Sequence, residues 1–253
     1  MQNPRHIVIT GASSGIGAAL ADAYAAPGVT LSLHGRNPAR LEQVCAAVRA
    51  KGAEAVPGIG DVTDSARLTA WLTARDEAAP VDLLIANAGI AAGTGQGGES
   101  AAQARNTFAV NIDGAVNTVQ ALLPVMIARR RGQIALVSSL AGFRGLPGTP
   151  AYSASKAALR IYGEALRGEL GSHGIAVNVI CPGYVATPMT AVNNFPMPFL
   201  LSAERAAAII KHGLARNRSR IAFPWPTYFA VWMLAALPPG MTDWIMARLP
   251  KKP

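Results

Sequence analysis

The chain has 253 residues, of which 51% are apolar and 15% are charged, with a formal net charge of +9. That length and apolar content suit one large α/β domain with a sizeable core, and they exclude a disordered chain. Cys45 and Cys181 are too far apart for a disulfide framework or metal-ligand spacing, and the basic residues cluster only at Arg129-Arg130-Arg131 and over 216–220 with no nucleic-acid motif, so neither a metal nor a nucleic acid is expected.

In chain order, Met1 to Arg5 leave no room for a signal peptide before the first apolar run, which fits a reducing, cytoplasmic setting. Short apolar runs at 6–10, 31–34, 53–59, 83–86, 133–138, 176–180 and 221–223 read as strands. Helical stretches at 16–26, 38–51, 65–77, 101–130, 151–173 and 203–215 separate them. Continuous apolar strands are covered on both faces, and strand–helix alternation predicts a doubly wound parallel sheet of about seven strands with helices on both sides. No repeat or Gly/Ser linker divides the chain, so a single domain over 1–253 is expected.

The first strand runs into Thr10-Gly11-Ala12-Ser13-Ser14-Gly15-Ile16-Gly17, and a helix follows at once. Glycines allow a sharp turn and close approach of a pyrophosphate, and the helix start offers free N–H groups and a positive dipole end. The spacing differs from the usual Gly-x-Gly-x-x-Gly fingerprint, and a plain strand–helix turn is the alternative. Its place in the chain favours a dinucleotide site, which makes the fold Rossmann-type. The second strand ends Leu33-His34-Gly35-Arg36-Asn37. Arg36 stands where an acid would bind ribose hydroxyls, and arginine suits a 2′-phosphate, so NADP(H) is favoured over NAD(H). Arg40 is either a helper or a solvated helix residue.

Tyr152-Ser153-Ala154-Ser155-Lys156 opens a helix behind Thr149-Pro150. Residues four apart share a helix face, so Tyr152 and Lys156 converge. An ammonium beside a phenol favours the phenolate, which tunes the tyrosine for acid–base work; a structural Tyr–Lys pair is the alternative. Ser138-Ser139 ends the fifth strand, where a hydroxyl can donate to a carbonyl oxygen that is gaining charge. Asn111, inside the 101–130 helix, either holds a water that relays protons to Lys156 or is a packing amide.

These residues together resemble the classical short-chain dehydrogenase/reductase family over roughly 7–223. The resemblance rests on Thr10 to Gly17, Asp61, Asn87-Ala88-Gly89, Asn111, Ser139, Tyr152-x-x-x-Lys156 and Pro182-Gly183. It implies an NADP(H)-dependent oxidoreductase that reduces a carbonyl or oxidises a secondary alcohol. Tyr152 would be the acid or base, and Ser139, rather than Ser138, would polarise the carbonyl. Lys156 would lower the tyrosine pKa and bind the nicotinamide ribose, and Asn111 would complete a proton relay. The implied cofactor contacts are Gly11, Ser13, Ser14, Gly15, Ile16, Gly17, Arg36, Gly89, Pro182 and Gly183, together with Tyr152 and Lys156. Asp61 would meet the adenine and Asn87 the adenosine side, while Val185 and Thr187 would hold the carboxamide. Ala86 departs from the family, many of whose members carry an asparagine there.

The loop 90–99 is glycine-rich and expected to be mobile. The segment 190–202, with Phe195, Met197, Phe199 and Leu200, resembles an apolar substrate lid, which suggests a hydrophobic carbonyl or alcohol substrate. Residues 221–242 carry no charge, and their prolines leave only a short uninterrupted helix. This extension, 224–253, covers the substrate site, forms a homodimer or homotetramer interface, or lies on a membrane with Arg248, Lys251 and Lys252 near anionic head groups. An NADP(H)-binding sensor or scaffold without catalysis is the alternative function. A nucleotide-sugar epimerase fits poorly, because its glycine spacing differs.

Overall fold

The structure, a computed structural model, describes residues 3–91 and 98–248. Its strands are β1 (His6–Thr10), β2 (Thr30–Gly35), β3 (Glu54–Ile59), β4 (Leu83–Ala86), β5 (Gly132–Val137), β6 (Ile175–Pro182) and β7 (Arg220–Phe223). They form one seven-stranded sheet in the order β3-β2-β1-β4-β5-β6-β7, with every neighbouring pair parallel. The order reverses between β1 and β4. The strand ends there open a crevice, the usual ligand position in such sheets. Pro57 lies in β3, and a proline is tolerated there because β3 is an edge strand.

The helices are α1 (Gly15–Tyr24), α2 (Pro38–Ala50), α3 (Ser65–Ala78), α4 (Ala101–Phe108), α5 (Gly114–Arg129), α6 (Pro150–Leu170) and α7 (Ala203–Ala215), followed by α8 (Trp225–Ala236) and α9 (Pro239–Met246). Local chemistry sets their starts. The Asn37, Asp64, Ser100 and Ser202 side chains each accept a hydrogen bond from an N–H in the first turn of α2, α3, α4 and α7. Ser100 and Gln103 complete a capping box. Alternate strand residues feed two cores. Ile7 and Ile9 of β1 pack with Leu20, Leu41 and Ile210 on one face, and Val8 packs with Leu68, Leu122 and Leu159 on the other. Burial on both faces is why the central strands β1 and β4 are largely apolar.

Three features differ from the sequence expectation. The 101–130 helix is interrupted by a π turn, Ala109–Asp113, and Asn111 lies inside it. β6 continues two residues beyond 180, to Pro182, and so carries its end to the crevice. The C-terminal extension folds as the helix pair α8 and α9, described as far as residue 248. The basic tract is held within the fold: Arg129 Nη1 donates to both Asp76 oxygens at 2.7 and 2.8 Å and its Nη2 to the Val81 carbonyl at 2.6 Å, and Arg131 pairs with Asp82 at 2.7 Å.

Candidate active site

The glycine turn after β1 is shaped by its sequence. Gly11 and Gly15 have φ of +67° and +57°, which side chains disfavour. A Cβ on Gly17 would lie 2.3 Å from the Gly11 carbonyl oxygen, so the helix can approach the strand only with glycine there. Ser14 begins α1 without a side-chain cap, leaving first-turn N–H groups for an anion. Asn87 straps this turn to β4: its Nδ2 donates to the Thr10 and Gly11 carbonyls at 3.0 and 3.1 Å. The sequence did not reveal that use of the Asn87 side chain.

A cleft of about 600 Å³ runs over the strand ends from this turn. Nearly every residue singled out from the sequence lines it: Gly11, Ser13, Ser14, Gly15 and Ile16; Arg36, Asp61, Asn87 and Gly89; Ser139, Tyr152 and Lys156; and Pro182, Gly183, Val185 and Thr187. Gly17 and Asn111 lie behind the wall instead. Arg36 is largely exposed and sits 3.6 Å from Asp61. Burial works against the Asp61 charge, but hydrogen bonds from the Thr63 backbone and hydroxyl, with Arg36, hold its pKa below the usual value. A solvated pair of this kind contributes at most about 1 kcal/mol, so Arg36 can exchange its partner for a phosphate. His34 also lines the cleft, a position the sequence did not single out.

The far side of the cleft is built by β5 and α6. Lys156 is buried; its Nζ donates to the Val137 carbonyl at 2.9 Å and lies 5.7 Å from the Tyr152 ring centre. Burial lowers the Lys156 pKa to about 8. Burial raises the Tyr152 pKa, and a hydrogen bond with Ser139 offsets part of that rise. The two serines divide their tasks. Ser138 Oγ donates to the Lys156 carbonyl at 2.6 Å and ties strand to helix. Ser139 Oγ accepts from Ala141 N at 3.1 Å and faces the tyrosine. Asn111 Oδ1 accepts from Ile90 N at 2.8 Å, and its Nδ2 donates to Ile90 O and Ser155 Oγ. A Cβ on Gly89 would lie 3.2 Å from Asn111 Oδ1 and 3.3 Å from Lys156 Nζ, so both border that glycine. Glu99 accepts from Ala151 N at 3.0 Å and caps α6 just before Tyr152, a contact between distant positions with no local signal.

The segment expected as a lid touches the cleft only at its start, through Thr190, whose Oγ1 donates to the Val185 carbonyl at 2.6 Å. Phe195 packs edge-on against Tyr184, Leu201 bridges to Val185, and Phe199 and Leu200 face solvent. Most of the glycine-rich loop, 92–97, lies outside the described residues. The bare backbone cradle at Gly11 and Gly15, the uncapped start of α1, and the length of the cleft fit a nicotinamide dinucleotide.

Comparison with known proteins agrees. The family model for short chain dehydrogenases matches residues 5–196. An oxidoreductase of Myxococcus xanthus is 39% identical over 246 residues, covering 97% of both chains. The ketoacyl reductase HetN of a Nostoc species is 37% identical over 77% of this chain and 68% of its own. Among solved structures, a short-chain dehydrogenase from Sphingobium yanoikuyae in complex with NADPH superposes with a TM-score of 0.81 at 26% identity, covering 97% and 96% of the two chains. A Mycobacterium paratuberculosis short-chain dehydrogenase bound to NAD gives 0.76 at 28% identity, covering 86% and 94%. With the family model spanning most of its length and the seven-stranded parallel sheet beneath, the chain belongs to the classical short-chain dehydrogenase/reductase family of oxidoreductases.

Proposed function

We propose that the chain uses NADP(H) to reduce a carbonyl, or to oxidise the matching secondary alcohol, on an apolar substrate, with Tyr152 as the acid–base group. The observation that carries this reading is the meeting of Tyr152, Ser139 and Lys156 on the wall of the cleft that also holds the glycine turn. When bound, the reduced nicotinamide supplies the hydride. Tyr152, whose pKa burial raises, gives its proton to the carbonyl oxygen. Ser139 donates to the same oxygen as negative charge grows on it. Lys156, beside the ring, favours the phenolate left behind. Asn111 holds the Gly89 corner in place, and a water at Asn111 is its proposed route for returning a proton to Lys156. Gly11 to Gly17, Asn87 and Asp61 hold the adenosine and pyrophosphate, and Pro182, Gly183, Val185 and Thr187 the carboxamide end.

NADP(H) over NAD(H) is supported by Arg36 at the exposed mouth of the cleft, with no acid in its place. An apolar carbonyl substrate is supported by the ketoacyl reductase among the relatives. Self-association is supported by Phe108, Val125 and Ile161, exposed on α4, α5 and α6.

The test is a panel of ketones and 3-oxoacyl compounds assayed with both cofactors, on wild type and Arg36→Asp. Wild type should turn over with NADPH at a kcat/KM at least about tenfold above that with NADH, and Arg36→Asp should erase most of that ratio. An unchanged ratio overturns the role given to Arg36. Tight NADPH binding without turnover across the panel would leave a sensor.

A further inference from the structure

We propose that the α8–α9 helix pair is a docking surface for an anionic lipid bilayer, on which the protein lies without spanning it. None of the residues of α8 is buried. Trp225, Phe229 and Trp232, spaced by four and three residues, stack at 5.5 and 6.2 Å into one ridge. Met233, Leu237, Met241 and Trp244 are exposed on the same helix pair, and Trp225 and Trp244 are 69% and 62% exposed. Isolated exposed apolar residues are ordinary on protein surfaces; a continuous aromatic ridge marks an interaction site.

The ridge is what remains after the inner side of the pair has met the protein. Tyr228 and Val231 pack on Leu140, Val179 and Cys181, and Tyr228 also meets Phe143 edge-on at 5.5 Å. Arg144 donates to Thr242 Oγ1 at 2.9 Å and fastens α9. The outward ridge therefore does not fold inward as a cover for the cleft.

Length, composition and charge select the occupant. α8 has 12 residues and α9 has 8, with Leu237 and Pro238 between them and Pro239 opening α9, whereas spanning a bilayer takes about 20. Tryptophan prefers the depth of the head groups. From Trp225 onward the sequence carries three cations, Arg248, Lys251 and Lys252, and one acid, Asp243, which faces Arg144 at 3.5 Å. Arg248 lies over the Trp244 ring at 5.3 Å, putting a cation at the rim of the ridge. Such a surface attracts an anionic leaflet. Two copies meeting through it would bring like charges together, which disfavours a second copy as the cover.

Flotation of the full chain with vesicles of phosphatidylcholine alone, or with added phosphatidylglycerol, tests this without any substrate. The protein should float with the anionic vesicles, less as salt rises, and its tryptophan emission should shift to the blue. Three of its four tryptophans sit on the helix pair, so the signal reports there. Trp225→Gln/Trp232→Gln/Trp244→Gln should lower partition at least about tenfold, and Arg248→Gln about two- to threefold. If the triple variant melts early, Trp225→Gln alone should lower partition at least about threefold. No flotation with anionic vesicles, or flotation that the substitutions leave unchanged, overturns the proposal. A triple variant that turns an oligomer into a monomer, while wild type ignores vesicles, assigns the ridge to a second copy and also overturns it.

Discussion

Lys156 shows how the site sets stability against chemistry. Its ammonium is buried against the Val137 carbonyl, and burial pulls its pKa to about 8, below the value of ~10.4 for a free lysine. Below pH 8 both folded and unfolded chains carry the proton, and the folded chain bears the desolvation cost. As pH rises from about 8 toward 10, the unfolded chain holds more protons, so this cost fades and stability rises. Lys156→Met should therefore stabilise the cofactor-free protein at pH 7 by about 1–2 kcal/mol in urea denaturation, while removing turnover. A destabilised variant would show that the bond to Val137 outweighs desolvation. Wild-type kcat/KM for carbonyl reduction should fall as pH rises through about 8 and Lys156 loses its charge. The Tyr152–Lys156 pair was legible because a spacing of four on a helix is local geometry. From the sequence, Lys156 is expected to lower the tyrosine pKa; in the structure burial dominates and raises it. The strap made by Asn87 and the cap made by Glu99 were not legible, because each joins positions far apart in the chain.

Among the elements, the π turn between α4 and α5 was the least visible in the sequence. The 101–130 stretch is periodic enough to read as one helix, and an i→i+5 turn has no residue signature of its own. The turn places Asn111 where one side chain satisfies both the N–H and the carbonyl of Ile90 and reaches Ser155 on α6. Asn111→Leu would leave those groups unpaired in the interior. It should destabilise the protein by about 2–4 kcal/mol in urea denaturation and reduce kcat as well. A loss below about 0.5 kcal/mol would show that the turn is held by other contacts. The strands were read more securely than the helices after β7. Burial on both faces writes an apolar run into central strands such as β1 and β4, whereas α8 is apolar on every side and offers no period to read.

The whole molecule follows from the alternation of strands and helices, which fixed a doubly wound sheet before any contact was known. The reversal of strand order between β1 and β4 then brings residues from the first 20 positions beside others near 150 and 185, on one cleft. Sequence order alone cannot convey that convergence. The claim that this cleft moves a proton through Tyr152 is tested most directly by Tyr152→Phe, assayed with NADPH and a ketone that wild type reduces. NADPH affinity should stay within about threefold of wild type while kcat falls at least about 100-fold, the scale of a lost general acid. A variant that keeps more than about a tenth of wild-type kcat, a difference under ~1.4 kcal/mol, would contradict it.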